Sequence, residues 1–149
     1  MVKVIFFNSG TPEWNWLSNF SLHPITDPHG VAWPTAEHLY QAAKSATSEG
    51  RRLIHAAGSA VEAKRLGRTL TLRPDWETRK VDVMKKLLRW KFEQHPDLAR
   101  RLVETAEEKA QLVHRAPWDT FWGDGGNGWG QNILGQLLEE LADEMRGEG

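Results

Sequence analysis

Ile133-Leu134-Gly135-Gln136-Leu137-Leu138-Glu139-Glu140-Leu141-Ala142-Asp143-Glu144-Met145 decides the fold class. Ile133, Leu137, Leu141 and Met145 recur at helical spacing, with Leu134, Leu138 and Ala142 widening the stripe beside them. A stripe of that width is a core face. The same period returns upstream, where Val81, Met84, Leu88 and Phe92 mark a long helix introduced by Asp75. His95-Pro96 puts a proline at the first position of a helix over about 97–106. Ser59 and Glu62 read as a capping box, opening a helix that stops near Gly67. Ser48 is placed to cap a helix through Leu53-Ile54, and Thr35 one over about 36–46.

Extended segments gather at the other end of the chain. Val2-Lys3-Val4-Ile5-Phe6-Phe7 is rich in strand formers. Further extended pieces, from Phe20 to Ile25 and at Val31-Ala32-Trp33, flank the turn Asp27-Pro28-His29-Gly30. The expected fold is therefore mainly α with a small N-terminal antiparallel β part. No repeat, linker or low-complexity stretch divides the 149 residues, so one domain over 1–149 is expected.

The composition excludes several function classes. Lys plus Arg is 19 and Asp plus Glu is 20, a formal net charge of −1, so no electrostatic footprint supports sequence-blind binding to nucleic acid. Nor does a polybasic run exist to hold an anionic membrane. The chain has no cysteine, which removes disulfides, thiolate metal sites and a cysteine nucleophile together. Residues 1–10 turn polar too soon for a signal peptide, and no apolar run reaches membrane-spanning length, so the cytoplasm is the expected location. The six histidines at 23, 29, 38, 55, 95 and 114 show no paired ligand spacing, and no metal or cofactor is expected. Eight Trp against one Tyr and five Phe is unusual; their flat faces suit bases or sugars but fill cores equally well.

Three stretches can carry chemistry. In Trp33-Pro34-Thr35-Ala36-Glu37-His38-Leu39-Tyr40-Gln41-Ala42-Ala43-Lys44, helical spacing gathers Glu37, Gln41 and Lys44 within a ~60° arc. That arc is either a solvated polar face or one wall of a pocket where acid, amide and amine converge. The second stretch, Trp118 to Asn132, has five glycines in the eight positions from Gly123 to Gly130. It is either a loop of sharp turns or a phosphate or sugar loop feeding the N–H groups of the last helix. Gly123, Gly125 and Gly128 also satisfy G-x-G-x-x-G, but no βαβ unit surrounds them to make a dinucleotide site. The third, Arg73-Pro74-Asp75-Trp76, is either a simple helix start or a nucleotide contact through Arg73 or Trp76.

Taken in order, these stretches resemble the NADAR (YbiA-like) family along nearly the whole chain. The resemblance rests on Leu17-Ser18-Asn19-Phe20, Trp33-Pro34-Thr35-Ala36-Glu37-His38 with Tyr40-Gln41-Ala42 and Lys44, and Ala63-Lys64-Arg65-Leu66-Gly67-Arg68. It continues through Arg73-Pro74-Asp75-Trp76, Val83-Met84, Lys91-Phe92, Asp119 with Phe121-Trp122-Gly123-Asp124-Gly125, and Asn132 with Leu134-Gly135. Each piece is unspecific alone; their order and spacing are specific. Two departures stand out. His114 follows Leu112-Val113 where the family pattern commonly has a glutamate, and the glycine loop carries Trp129 and Gln131 where it is often basic.

The resemblance implies hydrolysis of an N-glycosidic bond without a cofactor or metal. It implies a nucleotide-like small molecule or ADP-ribosylated guanine in nucleic acid as substrate, or else early riboflavin-biosynthesis intermediates. No membrane and no obligate protein partner are implied. On this reading Glu37 stabilises charge at the sugar and orients water, and Lys44 attacks the opened sugar as an imine former or holds a phosphate. Asp119 is the second acid or sugar anchor, Asn19 positions, and Trp76, Trp122 and Trp129 stack on a base. Phe20, Trp33, His38, Tyr40, Gln41, Arg73, Gly123, Asp124, Gly125 and Asn132 complete the expected substrate contacts. Trp129 in the loop tilts the expected preference toward ADP-ribosyl substrates. A non-catalytic module binding ADP-ribose or NAD is the rival; it would use the loop and the Trp faces but would not need Glu37 and Lys44 to converge.

Overall fold

A computed structural model describes residues 2–149. The chain forms two compact units, one made of the segment ending at Ser18 together with His95–Gly149, the other of Asn19–Gln94. Six α-helices are found among the described residues, four in the second unit, where they hold most of the chain, and two in the first. The mainly α class expected from the apolar stripes therefore holds.

In the first unit, strand β1 (Val4–Phe7) alternates exposed and buried residues, with Ile5 and Phe7 inward. It leads to a 3₁₀ turn at Asn15–Leu17 that buries Trp16 and Leu17. The second unit begins with the short pair β2 (Ile25–Thr26) and β3 (Ala32–Trp33), antiparallel across the Asp27-Pro28-His29-Gly30 turn. There follow α1 (Ala36–Ala43), α2 (Ser48–His55), α3 (Ala60–Gly67) and α4 (Trp76–Gln94). The chain then returns to the first unit as α5 (Pro96–Glu107), β4 (Gln111–His114) and α6 (Ile133–Glu148).

The caps follow the sequence closely. Thr35 accepts from His38 N and Ser59 from Glu62 N, each satisfying a free donor of the first turn. Two details differ. The cap of α2 is Thr47 rather than Ser48, because its hydroxyl reaches Gly50 N one residue earlier. Asp75 precedes α4, but its carboxylate is taken by the Arg73 guanidinium through two bonds of 3.2 and 3.1 Å. Helix α1 ends at Ala43, where Lys44 forms the cap and Ser45 bridges to Leu72.

The β part departs most from expectation. The three N-terminal segments do not share one antiparallel sheet. β1 pairs parallel with β4, Val4 opposite Gln111 and Phe7 opposite His114. A parallel partner needs a long crossover, here the whole of Asn19–Gln94 plus α5. β4 was not legible as a strand because Leu112-Val113 is too short an apolar run. Side chains of α6 complete its far edge. Glu139 accepts from Leu112 N at 3.2 Å, Asn132 Oδ1 accepts from His114 N at 2.8 Å, and Asn132 Nδ2 donates to Leu112 O at 2.9 Å. Gly135 permits this approach, since a Cβ there would strike Leu112 O.

Asn132 therefore has both ends of its amide on β4, and it sits in the left-handed region at φ 52. Asn132→Ala leaves a donor and an acceptor of β4 without partners and should cost roughly 2–3 kcal/mol. Urea denaturation checks this. A variant of unchanged stability but lost activity would return Asn132 to the substrate contacts.

Candidate active site

Helix α1 is too short to stand alone and is packed on α2, α3 and α4. Burial therefore reaches its polar face as well as its apolar one. Glu37 and Gln41, one turn apart, are 7% and 5% exposed, which excludes a solvated face at these two positions. Gln41 Nε2 donates to Glu37 Oε1 at 3.0 Å, and the Glu37 amide donates to Asn19 O at 3.0 Å. Asn19 is itself buried and donates from Nδ2 to Met84 Sδ at 3.4 Å. Asn19 Oδ1 and Gln41 Oε1 are both buried and have no donor from the protein. Two acceptors left open beside a carboxylate suit a ligand rich in N–H or O–H donors.

Lys44, half-buried at the end of the same face, completes the group. Burial lowers its pKa, the charge of Glu37 raises it, and the cations Arg68 and Lys64 lower it again; the net shift is downward. Lys64 and Arg68 are exposed and stand one turn apart on α3, with Lys64 Nζ 5.8 Å from the Phe20 ring centre. These two cations belong to a stretch that carries the family likeness, yet nothing in their sequence positions points to the site. Only folding brings α3 to Lys44. Gly67 permits the approach, because a Cβ there would collide with Gln41 Oε1 and lie 3.2 Å from Lys44 Cε.

Behind this face the remaining expected residues of the second unit have structural work. His38 is buried, with Nδ1 2.8 Å from the Thr35 hydroxyl and Nε2 3.0 Å from Ala57 O. Both ring nitrogens are occupied within the fold, which leaves none for substrate. Trp76 is 5% exposed and packs on Tyr40 at 5.3 Å, so it fills the core instead of offering a stacking face. Trp33 and Arg73 lie elsewhere, on a hollow at the reverse side of α1. Lys91 of α4 stands in the Lys91-Phe92 motif of the family resemblance. It is fully buried, burial lowers its pKa to about 7, and it donates to Ser21 Oγ at 2.9 Å. That bond ties the segment carrying Asn19 to α4.

Asp119, Trp122, Gly123, Asp124, Gly125 and Trp129 belong to the first unit, in the loop before α6. Asp119 Oδ1 accepts from Phe121 N at 3.1 Å and Trp122 N at 2.8 Å, closing a turn. Asp124 is 1% exposed. Burial works to raise its pKa, but donors from Gly126 N and Ala116 N and the Arg115 guanidinium hold it below the usual carboxylate range. Arg115 Nε is 2.7 Å from Asp124 Oδ2. The start of α6 is not free to receive a phosphate: Asn132 N, Ile133 N and Leu134 N donate to the carbonyls of Gly123, Phe121 and Trp122. The anion-loop reading fails there for that reason. Trp122 is half-buried against Phe121, whereas Trp129 is 88% exposed. Among the described residues no His, Cys, Asp and Glu cluster could hold a metal ion, and no helix is long and apolar enough to cross a membrane.

The fold and site thus define a mainly helical protein that buries a carboxylate–amide pair beside a lysine. A model of the NADAR domain matches residues 5–146, and the chain belongs to the NADAR family. It is 43% identical over 144 residues to N-glycosidase YbiA of Shigella boydii, covering 95% of this chain and 88% of that protein. It is 40% identical over 146 residues to the chloroplastic riboflavin biosynthesis protein PYRR of Zea mays, covering 87% of this chain and 23% of the other. The NMR structure of the Escherichia coli protein YbiA matches with a TM-score of 0.88 and 42% identity, over 99% of this chain and 88% of that one.

Gly67→Ala tests the packing of the site. Its methyl must displace the Gln41 amide, at a cost of about 1–3 kcal/mol. Thermal unfolding should show a lower Tm, with Gly67→Ser no better. An unchanged Tm would mean that Gln41 can move aside and is not fixed by α3.

Proposed function

We propose that the protein is an N-glycosidase that hydrolyses the bond between a phosphorylated ribose and a nucleobase-type nitrogen, with ADP-ribosylated guanine as the preferred substrate. The observation that carries this reading is the buried Glu37–Gln41 pair with Lys44 at its edge, in a chain 43% identical to a protein named an N-glycosidase.

Cleavage of a C–N bond at an anomeric carbon leaves positive charge on the ribose, and the departing base takes up the one proton that the attacking water gives to Glu37. The Glu37 carboxylate stabilises that charge and orients the water that adds to C1, with the water proton passing to the carboxylate. Gln41 fixes the carboxylate through its 3.0 Å bond. The open acceptors Asn19 Oδ1 and Gln41 Oε1 take donors from the sugar hydroxyls or the base. Lys64 and Arg68 provide the cations for a phosphate. This replaces the helix N-terminus, whose amides are occupied. A module that merely binds has no use for a buried carboxylate held in this way, which disfavours the non-catalytic alternative. Within the first unit, taken by itself, Asp119 is assigned as a hydroxyl anchor and the exposed Trp129 as a stacking surface for a base.

One observation favours a second substrate class, the early riboflavin intermediates. Lys64 and Arg68 gathered at Lys44 suit a single terminal phosphate, and a relative carries the name of a riboflavin biosynthesis protein. Side-by-side hydrolysis of ADP-ribosylated guanosine and those intermediates, followed by chromatography of the released base, decides between them. Faster turnover of the intermediates, unaffected by free ADP-ribose, would reverse the order.

Glu37→Gln keeps the shape and removes the charge, so kcat should fall by roughly 100-fold or more in a folded protein. A fully active Glu37→Gln enzyme would sink the role assigned to this carboxylate.

Lys44 separates by trapping and by pH. As an imine former it should be captured by borohydride during turnover, Lys44→Arg should abolish capture, and activity should rise with pH as the amine loses its proton. Its lowered pKa brings that rise below the ordinary lysine range. As a phosphate holder it should give no adduct, tolerate Arg, and lose activity as pH rises through the same range.

A further inference from the structure

On the reverse side of α1, roughly opposite Glu37 and Gln41, a hollow of about 480 Å³ lies within the second unit. Its volume is in the range of small-molecule sites. Leu39, Ala42 and Ala43 of α1 form one wall. Val83, Leu87 and Trp90, at i, i+4 and i+7 of α4, form another. The β2–β3 turn closes one end with Asp27 and the buried indole of Trp33.

The rim is charged, and the balance is positive. Arg51, Arg73 and Lys86 stand around a largely apolar interior; Arg73 is paired with Asp75, which leaves Arg51 and Lys86 against the carboxylate of Asp27. Asp27 is turned inward on its own turn, accepting from His29 N at 2.9 Å, Val31 N at 3.0 Å and Trp33 Nε1 at 3.0 Å. Those bonds hold the Trp33 indole in place. Trp90 is half-exposed on the opposite wall, and Lys86 one turn before it is exposed. Arg51 is exposed and is anchored by one 3.3 Å bond to Ser45 O.

We propose that this hollow is a second ligand site, separate from the Glu37 face, that takes a nucleoside monophosphate. The base lies on the half-exposed Trp90 indole and the aliphatic side chains, with the buried Trp33 closing the end of the hollow, and the phosphate meets Lys86 and Arg51. An uncharged aromatic would leave the cationic rim unanswered, and inorganic phosphate would leave the apolar walls unused. The second site does not depend on the reaction assigned to Glu37.

NMR titration of the ¹⁵N-labelled full chain tests it, with AMP as probe and adenosine and inorganic phosphate in parallel. The indole N–H signals of Trp33 and Trp90 should shift with AMP along one saturating curve. Adenosine and phosphate should each bind at least 10-fold more weakly, and Lys86→Glu should weaken AMP about 10-fold while leaving hydrolysis unchanged. Arg51→Glu, a second exposed position on another helix, should repeat that loss. Absence of shifts at Trp33 and Trp90 up to millimolar AMP would overturn the proposal. So would shifts confined to Lys64, Gly67 and Arg68, or AMP affinity unchanged from the unmutated protein in both charge-reversal variants.

Discussion

The bond from Gln41 to Glu37 sets the terms for the Asn19–Gln94 unit. A carboxylate and an amide buried on an eight-residue helix are costly unless their polar atoms are placed. The surroundings meet that demand in part. The Asn19 carbonyl receives the Glu37 amide, Met84 receives the Asn19 side chain, and Gly67 leaves room for Gln41. Two acceptors nevertheless remain open at that place. The fold therefore leaves Asn19 and Gln41 receptive to a donor-bearing molecule instead of closing the polar cluster on itself.

The loop before α6 follows the opposite strategy. Asp119, Asp124, Asn127 and Asn132 each turn a side-chain oxygen onto a nearby backbone N–H. The glycines let the chain fold back so that carbonyls 121–123 meet the amides of Asn132, Ile133 and Leu134. Such a loop is cross-linked by its own hydrogen bonds. Its aromatic tip at Trp129 reaches solvent, while its backbone polarity is used internally.

Helix α1 is accordingly the junction of the second unit. One side carries Glu37, Gln41 and Lys44, and the other lines the hollow with Leu39, Ala42 and Ala43. The Arg73 amide donates to Lys44 O at 2.9 Å, so even the end of α1 is fixed by a residue from the rim of that hollow. Cations gathered on α3 supply the positive charge that the near-neutral composition conceals when it is averaged over the chain.

The sequence by itself determined what depends on neighbours along the chain. Helical period, the caps at Thr35 and Ser59, the proline starting α5 and the Asp27 turn were all legible, because each is settled within a few residues. The arc of Glu37, Gln41 and Lys44 was legible for the same reason. Whether that arc faced water or a pocket was not, since burial is decided by α3, and local spacing carries no record of α3. The parallel partner of β1 lies more than a hundred residues away and is completed by side chains of α6, so no local pattern announced it. His38, Trp76 and Asn132 shared motifs with the site, yet tertiary contacts engage their polar or aromatic groups within the fold. Lys64 and Arg68 stood in plain view but gained a role only when α3 brought them to Lys44. Residue types state which chemistry is available; the packing of distant segments decides which groups remain open to perform it.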